Sequence, residues 1–162
     1  MSSHHYIEIR NRLSIEQVSL GDRTVTIFSA AELREAQIGY SVSDTGETLT
    51  GDTEGEWKKS WLVIGSEDLG GDPVFADLNV PELPVFTAAH GEAAWNPVMI
   101  ASSFEGFVKA LEEIERISNG RQNPVQLQRD PLLDVERERV LLRIAEFNPN
   151  ASLEFWKSWF AV

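Results

Sequence analysis

Residues 61–64, Trp-Leu-Val-Ile, are apolar at every position and run into Gly65. A strand with one wet face alternates apolar and polar side chains, so a run of this kind needs cover on both faces. It predicts a central strand, and the fold must put one apolar layer above it and another below. Two further β-forming runs follow, 74–78 opened by Pro73 and 85–89 after Pro81 and Pro84, which extends the expectation to a sheet meander. Upstream, residues 6–15 and 23–28 read as strands of a first hairpin, with Gly21-Asp22 in its turn. Residues 41–56, rich in Gly, Thr, Asp and Glu, read as a strand or two with polar loops and a turn at Asp44-Thr45-Gly46.

Helical signals concentrate later. Ser102 precedes Glu105 at capping-box spacing, and Phe104, Phe107, Val108, Leu111 and Ile114 recur on one helical face until Asn119-Gly120 supplies a stop. Glu112, Glu113 and Glu115 are expected on the solvent face of that helix. Ser29 and Glu32 repeat the capping spacing ahead of a short helix at 30–37. A linker at 121–131 leads to a helix ended by Asn148-Pro149, and Leu153, Phe155, Trp156, Trp159 and Phe160 mark an apolar C-terminal helix. Strands first and helices afterwards predict an α+β fold: a mixed or antiparallel sheet with packed helices in residues 1–120, and a helical extension, 121–162, packed on the same domain. Trp61 and Phe107 are the expected buried anchors.

Charge bounds the partners. With 26 Asp and Glu against 14 Lys and Arg, the chain carries a formal −12, which repels phosphate and so disfavours nucleic acid and anionic membranes while attracting a basic protein. There is no cysteine, hence no disulfide or thiolate chemistry, and no apolar run of bilayer length or secretory signal, so the expectation is a cytoplasmic protein.

The loop from Gly65 to Asp72 begins like a phosphate-binding loop, but Gly71 and Asp72 stand where Lys and Ser or Thr are needed. Glu67, Asp68 and Asp72 would repel a phosphate there. A calcium frame from Ser66 to Asp77 is incomplete, because its fifth position is Gly70, its last is Asp and its flanks are strands, so no metal is expected. The simplest reading is a connection in which Gly70 and Gly71 take positive φ. Residues 52–56 read as a solvated acidic loop. Among the histidines, His4 and His5 fall in a frayed terminus, and His90 has no nucleophile-elbow sequence to serve. A Glu67/Asp77 acid–base pair is one of many that an acidic chain offers. Neither catalytic residues nor a cofactor are expected.

The order of Trp61, Ile64-Gly65, Gly70-Gly71-Asp72-Pro73, Phe75-Ala76-Asp77, Pro84-Val85-Phe86, His90-Gly91, Trp95 and the helix signature Ser103-Phe104-Glu105-Gly106-Phe107 resembles the SUKH superfamily. That superfamily includes fungal cell-wall regulators of the Smi/Knr type and bacterial toxin-immunity proteins. The resemblance covers residues 61–111. It implies a SUKH-like α+β domain that acts by binding: an immunity protein neutralising a toxin, often a nuclease, or alternatively a regulatory scaffold, with a hydrolase as the third reading. It implies structural roles for Trp61, Gly65, Gly70, Gly71, Trp95, Phe104 and Phe107. The partner-facing candidates are Glu67, Asp68, Asp72, Asp77 and Glu92, offered to a basic toxin domain by a monomer or weak homodimer.

Overall fold

Six strands form one antiparallel sheet in chain order: β1 (Gln17–Leu20), β2 (Arg23–Ile27), β3 (Trp61–Glu67), β4 (Pro73–Asp77), β5 (Val85–Thr87) and β6 (Val98–Ala101). Six helices accompany it: α1 (His4–Arg10), α2 (Leu33–Ala36), α3 (Phe104–Ser118), α4 (Pro124–Arg129), α5 (Asp134–Phe147) and α6 (Glu154–Lys157), the last continued by a 3₁₀ turn, Ser158–Phe160. This is an α+β domain. The computed structural model describes residues 3–160.

Alternation along the central strands divides the interior in two. On one face, Ile64, Val74, Ala76, Val85 and Ile100 meet Phe104, Phe107, Leu111 and Ile114 of α3, with Val140 and Ile144 of α5 behind them. On the other, Val63 and Phe75 pack under Trp57 and Ala88, joined by partly buried Tyr40, Trp61, Phe86 and Trp95. The doubly covered β3 expected from its apolar run is thus found. Its anchor differs: Phe107 is fully buried, but Trp61 is only partly so, and the completely enclosed indole on that face is Trp57, which donates to the Trp61 carbonyl at 3.3 Å. Trp57 sits in polar sequence and gave no periodic signal.

Other elements also depart from expectation. Residues 6–15 are not a strand: 4–10 form α1, because Tyr6, Arg10 and Leu13 recur at helical as well as alternating spacing. His4 and His5 open that helix. Its Arg10 is buried and donates from Nε to the Phe28 carbonyl at 2.9 Å and from Nη2 to Ile27 at 3.1 Å, clamping α1 to the end of β2. The hairpin turn at Gly21-Asp22 does form, joining β1 to β2. Residues 41–56 contain no strand, only isolated bridges of Val42 with Ile38 and Thr48, and the turn at 44–46. The supposed linker holds α4, started by Asn123, whose side chain accepts from the Gln126 amide, and by Pro124 in the first turn. The apolar C-terminal segment is one helical turn plus the 3₁₀ turn.

The cap of α3 is Ser103, whose side chain accepts from the Gly106 amide at 2.9 Å, rather than Ser102. Ser102 instead donates its amide to the Asn148 carboxamide at 3.0 Å, while Asn148 Nδ2 donates to the carbonyls of Gly106 and Ile144. A methyl group at Gly106 would lie 2.2 Å from Asn148 Oδ1, so glycine there lets the start of α3 touch the end of α5. Glu113 is likewise not on the solvent face expected for it. It is buried, bonded by Arg116 and by Arg143 Nε at 2.9 Å, and ties α3 to α5. Trp156 is buried and donates to the Ile100 carbonyl at 2.8 Å, which packs the C-terminal extension into the main core. No helix of the described residues is long and apolar enough to cross a membrane.

Candidate protein-binding face

The loop between β3 and β4 spends its carboxylates on itself. Glu67 is buried, and its two oxygens accept from the amides of Leu69 at 2.8 Å and Gly70 at 3.1 Å, with Arg23 Nε 3.8 Å away. Asp68 accepts from the Thr24 amide at 2.7 Å, extending the β2–β3 edge. Asp72 Oδ1 accepts from the His90 amide at 3.1 Å and lies 2.8 Å from His90 Nδ1, joining this loop to the one after β5. A polar backbone turning sharply without a helix leaves amides unpaired, and these carboxylates satisfy them. Glu67 is therefore an internal cap and presents no surface to a partner. Asp68 is exposed and Asp72 half-buried.

Gly71 takes φ +72°, whereas Gly70 does not adopt positive φ. Gly65 serves close approach: its added Cβ would fall 2.2 Å from the Thr26 carbonyl, where the pairing of β3 with β4 also shifts register.

Asp77 does not join this group. Trp61 pairs with Asp77 and Ser66 with Pro73, so Glu67 and Asp77 occupy opposite ends of the β3–β4 ladder. Asp77 instead accepts from the Asn79 amide at 2.9 Å. This separation removes both the acid–base pair and the calcium frame, and among the described residues no three His, Asp or Glu side chains come together as metal ligands. His90 has the aspartate of a catalytic triad, but among the described residues no hydroxyl is hydrogen-bonded to it.

The aromatic layer beneath these loops is continuous. Trp57 contacts Tyr40, Trp61, Phe75 and Trp95 with ring centres 4.6–5.3 Å apart, and Trp95 is 5.6 Å from Tyr40. Burial first, and the Asp72 charge second, push the Tyr40 phenol above its ordinary 10.0. Two loops cover this layer and are stitched together, the Trp95 amide donating to the Gly55 carbonyl at 2.8 Å.

Charge follows the same division, a feature legible in the sequence once it is counted by segment. Residues 36–108 hold 12 of the 26 acidic residues but only Lys58 and Lys59 of the 14 basic ones, a net −10 out of −12. Both lysines flank the acidic loop, where Lys58 Nζ donates to the Thr53 carbonyl. Asp44, Glu47, Asp52, Glu54 and Glu56 in one covering segment, and Glu92 in the other, are all exposed. Glu56 caps the Thr53 amide at 2.9 Å, but Asp52, Glu54 and Glu92 accept no hydrogen bond from the described residues. The arrangement offers a rigid aromatic floor under a rim of free carboxylates, with no assembled nucleophile. Searches against protein-family models, curated proteins and solved structures found no match to this chain.

Proposed function

We propose that this chain is a non-catalytic binding domain whose loop-covered face takes a basic protein, in the manner of an immunity protein that neutralises a toxin domain. The observation that carries the reading is the pooling of net −10 in residues 36–108 together with free, exposed carboxylates on the two stitched loops. Free carboxylates lose nothing internally when they meet Lys or Arg, whereas Glu67, Asp68 and Asp72 already hold backbone amides. The partner surface therefore moves from the β3–β4 turn to Asp52, Glu54 and Glu92, with Trp95 as the aromatic edge between them. Long-range attraction steers such an encounter, and salt weakens it over a Debye length of about 8–10 Å.

The test pairs the chain with the basic toxin domain encoded beside it. Co-expression is expected to restore growth, and surface-immobilised binding to show an association rate that falls as salt rises. Replacing Asp52, Glu54 and Glu92 by Lys is expected to weaken affinity at least about tenfold, or ~1.4 kcal/mol. The same exchange at exposed Glu112, Glu115 and Glu138 on α3 and α5 changes net charge equally and is expected to weaken it less. Equal losses from both triples would locate the effect in bulk charge, and failure of the unaltered chain to protect would discard the immunity reading.

A further inference from the structure

A cavity of about 550 Å³ lies away from the acidic loops, between the β1–β2 turn, α4 and the C-terminal 3₁₀ turn. Its walls are mostly apolar, with Leu127, Leu132, Trp159 and Phe160 among them, and its polar members are Asp22, Gln128 and Arg137. A volume of this size suits a small organic ligand rather than a few waters. The surrounding segments are held in place. The Gly21 amide donates to the Arg121 carbonyl at 2.8 Å, and a Cβ at Gly21 would come within 2.8 Å of Leu127 Cδ2, so glycine in the turn is what lets α4 seat against it.

Two buried donors in this wall have no acceptor. Trp159 Nε1 and Arg137 Nε are both shielded from solvent and unpaired, although Trp159 is 97% buried and Arg137 Nη2 already donates to the Leu132 carbonyl at 3.3 Å and Asp134 at 2.8 Å. By contrast the neighbouring indole, Trp156, is paired. A buried N–H without an acceptor forfeits its desolvation with no return, and native interiors rarely keep two around one cavity. Both groups are donors, one of them cationic, and the rest of the wall is hydrocarbon.

We infer that this cavity is a binding site for a small apolar monocarboxylate, whose carboxylate accepts from Arg137 Nε and Trp159 Nε1 while its hydrocarbon body lies against Leu127, Leu132 and Phe160. Asp22, exposed at the rim, disfavours a second negative charge on the ligand and sets the limit at one. The site shares no side chain with the proposed protein-binding face, so each can fail without the other.

The probes are 4-phenylbutyrate and its cationic counterpart 4-phenylbutylamine, titrated into the full chain while the five tryptophan indole N–H signals are followed by ¹H–¹⁵N NMR. The Trp159 signal, assigned through Trp159→Phe, is expected to shift saturably with the acid, the Trp156 signal to stay, and the amine to bind at least about tenfold more weakly. Trp159→Phe keeps an aromatic wall and removes one donor; Arg137→Met keeps the stem and removes the other. Each is expected to weaken phenylbutyrate binding by a similar factor, read from the remaining indole and cavity signals. If the Arg137 variant does not fold, the Trp159 variant decides alone. Absence of a saturable shift at millimolar acid, equal binding of the amine, or unchanged affinity in Trp159→Phe would each overturn the assignment and leave a solvent-filled cavity.

Discussion

The two faces of the sheet are covered by different means. One lies under α3 and α5, whose backbone groups pair among themselves, so side chains on that face meet regular, repeating surfaces. The other lies under loops, where Trp57 fills the space a helix would fill, and where the loop backbones are paired through carboxylates such as Glu67 and Glu56. The difference teaches where function can reside: regular cover is self-sufficient, while irregular cover needs polar side chains to satisfy its amides and so brings charge to the surface.

The sharpest way to break this contrast is a pair of truncations. Phe107→Ala, beneath two helices that cannot close in, is expected to lower unfolding stability by about 3–5 kcal/mol. Trp57→Ala removes a larger ring but leaves it to loops that can collapse, and is expected at the low end, ~3 kcal/mol. Urea unfolding of both would show the faces to be equally rigid if Trp57→Ala proved the costlier.

A smaller effect belongs to the contact between α3 and α5. Gly106→Ala drives a methyl group against Asn148, and overpacking of this kind is expected to cost about 1–3 kcal/mol. A melting temperature equal to that of the unaltered chain would mean that α5 can swing away freely.

Tyr6 offers a change of opposite sign. Its hydroxyl is buried without a partner, and burial raises its pKa well above the ordinary 10.0, with Arg10 lowering it in part. The native state therefore holds the neutral phenol, so this contribution is intact below pH 10 and is lost as rising pH ionises the phenol of the unfolded chain. Tyr6→Phe is expected to stabilise by about 1 kcal/mol at neutral pH and to flatten the alkaline decline. Denaturation midpoints at neutral and alkaline pH measure both, and a destabilised variant would show that the hydroxyl is in fact satisfied.

The smallest effect is on the loop side. Glu67→Gln keeps one acceptor oxygen for the Leu69 and Gly70 amides, and is expected to cost up to about 1 kcal/mol without altering affinity for a basic partner. A tenfold affinity loss with unchanged stability would return Glu67 to the binding surface.

Much of the helix-covered half was legible because periodicity reports directly on one-sided burial. Phe104, Phe107, Leu111 and Ile114 repeat at helical spacing, β3 to β5 are marked by apolar runs between prolines and glycines, and Gly21-Asp22 marks a turn. Where two periods fit, as for Tyr6, Arg10 and Leu13, local pattern does not choose, and packing against β2 decided for helix. Of the candidate site residues, Glu67 and Asp77 were misassigned because a carboxylate's burial and its position along a ladder are not local properties.

The sequence by itself determined the α+β class, the doubly covered central strand, the capped α3 and the strong negative charge, since each follows from composition or from spacing within one segment. Tertiary structure alone decided that Trp57 rather than Trp61 is enclosed, that Glu113 is buried between arginines from two helices, and that Asp72 meets His90 across 18 positions. It also decided which carboxylates remain free, because a side chain's partner is set by what the folded chain brings within about 3 Å of it, and no pattern along the chain encodes that distance.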